Sequence, residues 1–185
     1  MKLVLATQNP KKLKEMNEIL RHLGVEVVSE AELGVRIEVE ETGETFTDNA
    51  RLKATAVMQA TGLPAVADDS GLCVDALNGG PGVYSARFGG EGLDDKGRYT
   101  LLLEMLRGQT DRAAHFHTSI VCAFPNGDEL VCEGECPGTI AFAPMGEGGF
   151  GYDPVFFVPE LRKTFGQLTA EELSLIHISE PTRPE

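Results

Sequence analysis

Apolar residues open the chain as a run, Lys2 to Ala6, and after Asn9 and Pro10 they change to helical spacing at Leu13, Met16, Leu20 and Leu23. This predicts a strand, a loop and a helix that Gly24 closes, followed by a second strand at Val25 to Val28. A βαβ opening of this kind predicts an α/β domain. Val35 to Val39 reads as a third extended stretch running into the polar turn Glu40 to Glu44. Phe46, Ala50, Ala54 and Val57 then share one helical face, with Gly62 just past its end. Pro64 to Ala67 reads as a short buried strand that ends at Asp68, Asp69, Ser70 and Gly71, and polar residues at a strand end commonly line a cleft.

The second half changes period. A Gly-rich loop, Asn78 to Gly92, precedes a helix predicted from about Asp94 to Arg107. His115 to Phe124 alternates, with Phe116, Ile120, Cys122 and Phe124 on one face, and Pro125-Asn126-Gly127-Asp128 turns it back into Glu129 to Glu135. A long hairpin after βα units implies a mixed sheet. The chain is 185 residues with 42% apolar content, which favours one domain and leaves room for two lobes inside it. There is no internal repeat or low-complexity linker.

Charge narrows the partners. Sixteen basic against twenty-nine acidic residues give −13, which repels a polyanionic nucleic acid from most of the surface. A small anionic ligand stays possible, because a few lysines and a divalent cation reverse the field locally. With no run of eighteen apolar residues and a start that enters a strand directly, neither a membrane span nor a signal peptide is expected, and the location expected is cytoplasmic. Cys73, Cys122, Cys132 and Cys136 form no CxxC pair and are expected to be buried free thiols. Cys132 and Cys136 would lie roughly 13 Å apart on a strand, too far to share one zinc. His115 and His117 alternate on a strand face and are expected to be structural.

Three stretches carry candidate chemistry. Thr7-Gln8-Asn9-Pro10-Lys11-Lys12 sits where a strand gives way to a helix, whose free amide N–H groups and dipole suit phosphate oxygens, with a lysine adding full charge. Asn9 as a plain helix cap with solvated lysines is the competing reading. Glu38, Glu40, Glu41 and Glu44 crowd one turn, and Asp68 with Asp69 makes a second acidic point. Adjacent carboxylates repel unless a cation or donors gather there, so the two points suggest a hard-metal site suited to Mg²⁺. Gly146, Gly148, Gly149 and Gly151 surround Phe150, followed by Tyr152-Asp153-Pro154; the glycines permit close approach of a flat ligand and Phe150 offers a stacking face. A Gly-rich turn before a strand is the plainer alternative.

Together, TQNPKK, EETGETFTDNARLKA, ADDSGL, PGVYSARF and GGFGYDPVF resemble, in order and spacing, the inosine triphosphate pyrophosphatase family, bacterial enzymes that remove dITP, ITP and XTP. The resemblance runs from Met1 to about Glu172. It implies a single α/β domain with a long mixed β-sheet flanked by helices, in two lobes enclosing a central nucleotide cleft. It further implies a cytoplasmic homodimer, purine nucleoside triphosphate as substrate, Mg²⁺ as cofactor, and no nucleic-acid or membrane partner. Thr7, Gln8, Asn9, Pro10, Lys11 and Lys12 fall on the family's phosphate-binding opening, Glu40 on a metal-binding acid, and Asp69 on a residue that is both metal ligand and proton acceptor. Ser70 falls on a substrate contact, Lys53 on a lysine facing the phosphates, and Phe150, Gly151, Tyr152 and Asp153 on the segment that holds the base. Asp68 and Glu41 are further metal candidates, and Arg87 is a candidate for the cleft. The implied chemistry is attack of a water, oriented by Asp69, on the phosphorus next to the nucleoside, with pyrophosphate leaving.

The resemblance breaks near the end. From Leu173 to Glu185 the chain reads LSLIHISEPTRPE where the family has a lysine, a Ser-His-Arg block and a terminal helix. This string resembles a translated sequencing adapter, so residues 1–172 are expected to form the pyrophosphatase domain and 173–185 a foreign tail. His177 has the wrong neighbours to replace the family's base-reading histidine, which predicts weakened discrimination between ITP and ATP. Two other readings remain: a nucleotide-binding module with impaired catalysis, and a pyrophosphatase acting on modified pyrimidine nucleotides.

Overall fold

The computed structural model describes residues 1–7, 10–169 and 171–172, apart from the Lys11 side chain. The expected phosphate contacts Gln8, Asn9 and the Lys11 side chain, and the tail 173–185, lie outside the described residues. Two compact units build the chain: Met1–Asp69 with Thr118–Glu133, and Ser70–His117 with the stretch from Gly134 onward.

In the first unit, strand β1 (Lys2–Leu5) pairs in parallel with β2 (Glu26–Ser29) on one side and with β3 (Ala65–Val74) on the other. The register sets Leu3 beside Val27 and Leu5 beside Val66. Alternation along the strands then decides which helix covers which face. Leu3, Leu5, Val27 and Val66 meet Leu13, Met16 and Leu20 of helix α1 (Pro10–Leu20). Val4, Val28 and Ala65 meet Val57 and Met58 of helix α2 (Phe46–Thr61). Thr45 caps α2 by accepting from the Asp48 N–H at 3.1 Å, and Gly62 closes it in a left-handed conformation. The predicted face of α2 is the buried one: Phe46, Ala50, Ala54 and Val57 are all in the core.

In the second unit, β4 (Gly80–Pro81) pairs antiparallel with the far end of β3, and β7 (Phe156–Val158) joins β6 (Glu129–Ile140) on one side and β8 (Lys163–Thr164) on the other, both antiparallel. Helix α3 (Asp95–Met105), capped by Asp94, supplies Leu102 to a core of Leu72, Val74, Leu106, Ile140, Val155 and Phe156. Phe116 stacks on Phe165 in that core and Phe156 is tilted against both, with ring centroids 4.5–5.5 Å apart. Arg112 is buried there too, its guanidinium donating to the carbonyls of Ile140, Leu106 and Ala141. Parallel and antiparallel pairs coexist, so this is the α/β architecture with a mixed sheet and flanking helices that the sequence predicts.

Strand β5 (Ala113–Ala123) returns into β6 through the expected turn, where the Phe124 N–H donates to the Asp128 carbonyl at 3.0 Å. Several details differ from the sequence reading. Among the described residues Val35 to Val39 pairs with no strand; the Val35 N–H donates to the Glu30 carbonyl and the Ile37 N–H to the Glu30 carboxylate, while Ile37 packs beside Val28 and Val57. Strand β3 does not stop at Asp68 but runs through the acids to Val74, where β4 pairs with it. On β5 the face opposite Ile120 and Cys122 is also covered, with Val121 and Ala123 packed on Ala50 and Ala54 of α2. The cysteines are free, but none is fully buried: Cys73, Cys122 and Cys136 are half-buried, and Cys132 is exposed because the start of β6 is bare. No helix among the described residues is long and apolar enough to cross a membrane.

Candidate active site

The parallel pairing of β1 with β3 sets the start of α1 beside Asp68, because Leu5 is level with Val66 and the Ala6 N–H donates to the Val66 carbonyl at 2.9 Å. Ligands of open α/β sheets bind at these carboxyl ends. Successive residues of a strand point to opposite faces, and Asp68 and Asp69 obey that rule. Asp68 turns toward α1, its Oδ2 accepting from Lys12 Nζ at 2.6 Å. Asp69 turns toward α2, where Asn49 Nδ2 donates to its Oδ2 at 3.4 Å and Lys53 Nζ lies 3.8 Å from its Oδ1.

Lys53 is the hub of this cluster. Its ammonium donates to the Asp68 backbone carbonyl at 2.6 Å and pairs with Glu41 Oε1 at 3.4 Å as well as with Asp69. Asn49 and Lys53 are one helical turn apart on α2, so one face of that helix presents both to the acid. Asn49 is fully buried and bridges two elements: its Oδ1 accepts from the Gly43 N–H at 2.7 Å while its amide donates to Asp69. A Cβ on Gly43 would stand 2.7 Å from that Oδ1, so the turn after Glu41 needs glycine for the backbone to come this close.

Burial pushes the Asp69 carboxyl up to about 6. The nearby charge of Lys53 opposes this, Glu41 adds to it, the Asn49 hydrogen bond opposes it, and Asp68 adds a smaller push. With only 12% of the side chain exposed, desolvation dominates. The result is a carboxylate that takes a proton readily near neutral pH. Glu41 Oε1 and Asp69 Oδ1 both lie within 3.8 Å of the Lys53 ammonium, so the two acids already converge on one cationic centre. Oxygen donors converging in this way suit a hard divalent cation.

The other expected site residues are spread more widely. Glu40 is exposed, next in sequence to Glu41, and makes no ion pair among the described residues. Thr7 is half-buried at the end of β1, Pro10 begins α1, Ser70 is exposed on β3, and Arg87 lies over the Tyr84 ring at 5.1 Å. In the second unit, Phe150 is 78% exposed on a turn that Asp153 shapes by accepting from the Phe150 N–H at 2.9 Å. The Gly151 N–H donates to Asp95 at 3.0 Å. Tyr152 is buried with its hydroxyl donating to the Ser85 carbonyl at 2.6 Å, and burial raises its phenol to about 12. Burial also pushes Asp153 up to about 6. Asn49 is the residue the sequence reading passed over. Its signal was a polar side chain three residues after Phe46, on the apolar face of α2.

Lysines and carboxylates gathered at the carboxyl ends of parallel strands define an α/β protein of the class that receives anionic ligands at that edge. More particularly, the chain belongs to the Ham1 family, whose model matches residues 3–179. It is 52% identical over 178 residues to the dITP/XTP pyrophosphatase of Desulforamulus reducens, covering 95% of this chain and 89% of that protein. It is 48% identical over 176 residues to the dITP/XTP pyrophosphatase of an Exiguobacterium species, covering 95% and 90%. Among solved structures, the HAM1 protein of Coxiella burnetii superposes with a TM-score of 0.90 at 43% identity, covering 95% of this chain and 91% of that one.

Proposed function

We propose that the chain is a nucleoside triphosphate pyrophosphatase that hydrolyses deaminated purine nucleotides, ITP, dITP and XTP, to the monophosphate and pyrophosphate. The observation that carries this reading is the half-buried Asp69, raised to about 6 and held between Lys53, Asn49 and Glu41. Half of the reaction needs a base of that kind. Asp69 orients a water and takes its proton as the water oxygen bonds to the phosphorus next to the nucleoside; the bond from that phosphorus to the bridging oxygen breaks, and pyrophosphate leaves. Lys53 and Lys12 hold phosphoryl oxygens, and Asp68 keeps Lys12 over the end of β3 until substrate arrives.

Asp69 with Glu41 or Glu40 would hold Mg²⁺, and the ion, when bound, neutralises charge on the triphosphate. Asp68 contributes through Lys12, since its carboxylate faces away from Asp69. The amide groups at the start of α1, with Thr7 to Lys12, bind the terminal phosphates, Ser70 contacts substrate, and the exposed Phe150 ring with Gly151 offers a face for the base. Tyr152 and Asp153 act by fixing that turn. The same reading makes the chain a cytoplasmic homodimer that cleanses the nucleotide pool, with its catalytic body in residues 1–172. The test is pyrophosphate release from ITP, dITP, XTP, GTP and ATP with and without Mg²⁺, beside Asp69→Asn. Turnover of the deaminated purines that requires Mg²⁺ and Asp69 supports the reading. Tight ITP binding without turnover makes the chain a binding module instead.

A further inference from the structure

The β5–β6 hairpin brings a second group of metal-ligating side chains together, all within the second unit. His115 and His117 stand two apart on β5 and so share a face, with ring centroids 6.4 Å apart. Counting back from the Phe124–Asp128 closing bond in antiparallel register sets Glu135 of β6 opposite His117. The contacts agree: His117 Nδ1 is 3.1 Å and His115 Nε2 3.7 Å from the same Glu135 oxygen. One ligand atom from each residue lies within 4.8 Å of the other two. None of the three belongs to the Asp69 cluster.

We propose that His115, His117 and Glu135 form a binding site for a borderline divalent transition metal, Zn²⁺ or a congener such as Co²⁺. Tetrahedral bonds of 2.0–2.1 Å place donor atoms about 3.3 Å apart, so small side-chain rotations close the present spacing. Two imidazoles and one carboxylate are a donor set that zinc accepts and magnesium does not favour, so the site discriminates between this ion and the one the acid cluster would take. Solvent reaches it, since the Glu135 side chain is 58% exposed and the His115 and His117 side chains 31% and 18%, which leaves a remaining coordination position for water. Bound metal would tie β5 to β6 and stabilise the fold by mass action.

The experiment titrates Co²⁺ alone into the full, tag-free chain in buffer holding excess Mg²⁺, and follows visible absorption and thermal melting. About one bound Co²⁺ per chain, tetrahedral in spectrum and raising Tm, is the expected result, with displacement by Zn²⁺. His117→Ala and His115→Ala each weaken binding by at least the ~10–100-fold that losing a supporting partner of a metal ligand costs. Glu135→Gln weakens it less, and all three variants keep their Mg²⁺-dependent ITP hydrolysis. An Asp69→Asn chain binds Co²⁺ as tightly as the parent. The proposal is overturned if the parent binds no Co²⁺ in excess Mg²⁺, if the His115→Ala/His117→Ala double variant binds as the parent does, or if Asp69→Asn alone abolishes binding.

Discussion

Asp69 and Asp153 are both pushed by burial to about 6, yet they sit in opposite kinds of surroundings. Asp69 faces side chains that carry charge, namely Lys53 and Glu41, and among the described residues the amide of Asn49 donates a hydrogen bond to it, at 3.4 Å. Asp153 faces its own backbone, accepting from the Phe150 N–H at 2.9 Å, with the charge of Asp95 nearby. A shifted proton affinity therefore identifies a partly desolvated carboxyl and not its purpose; the partners decide that. Asp69 is engaged mainly by charged side chains, whereas Asp153 is engaged by the turn that carries Phe150.

Replacing each acid separates them most sharply. Asp69→Asn should cut ITP turnover by about 10³-fold, within the range general bases contribute, as read by pyrophosphate release. The same variant should be the more stable protein without metal, because keeping Asp69 ionised at neutral pH costs roughly 2–3 kcal/mol. A gain on the order of 1–2 kcal/mol in urea unfolding at pH 7 is expected. Lys53→Met comes next, with kcat reduced on the order of 10²-fold through loss of the phosphoryl contact.

The two glycines beside these acids extend the contrast. A Cβ at Gly43 crowds Asn49 Oδ1 and Asp48, while one at Gly149, where φ is +73°, collides with the Asp153 carboxylate. Gly43→Ala should lower kcat by about tenfold through misplacement of Asn49 and hence of Asp69. Gly149→Ala should instead raise KM and cost roughly 1–3 kcal/mol of stability, with kcat little changed. Asp153→Asn should have the smallest effect, since an amide oxygen still accepts from the Phe150 N–H; steady-state kinetics within about threefold of the parent are expected.

Both carboxyls also give the same sign of pH dependence in stability. Each holds its proton more firmly in the folded chain, so their contribution is complete below about 3.8 and is lost as pH rises through about 6. The Asp69→Asn and Asp153→Asn chains should each lose part of that slope in urea melts between pH 4 and 7.

How much of this was legible beforehand depended on whether a signal was local. The buried face of α2 could be read from Phe46, Ala50, Ala54 and Val57 because helical period is a property of neighbours in sequence. The hairpin could be read from the Pro125 to Asp128 turn. Val35 to Val39 reads as extended, but an extended reading says nothing about whether a sheet edge has a free place for a strand. The acids at Asp68 and Asp69 were legible as a charged point, but their division between two faces depended on β3 continuing to Val74. The buried roles of Tyr152 and Arg112 rest on carbonyls 67 and 28 residues away in sequence, which no window reaches. The spacing of His115 and His117 puts both on one strand face, while Glu135 joins them only once the hairpin register is known.

If Asp69 is the base, with its proton affinity raised by burial and held back by Lys53, the pH profile of kcat/KM for ITP at fixed Mg²⁺ reads both at once. The parent should lose activity as pH falls through the acid limb of Asp69, and Lys53→Met should move that limb to higher pH, because the lysine charge holds the carboxyl down. An acid limb unmoved in Lys53→Met, or one that persists in Asp69→Asn with its activity intact, would mean that Asp69 is not the base or that Lys53 does not act on it.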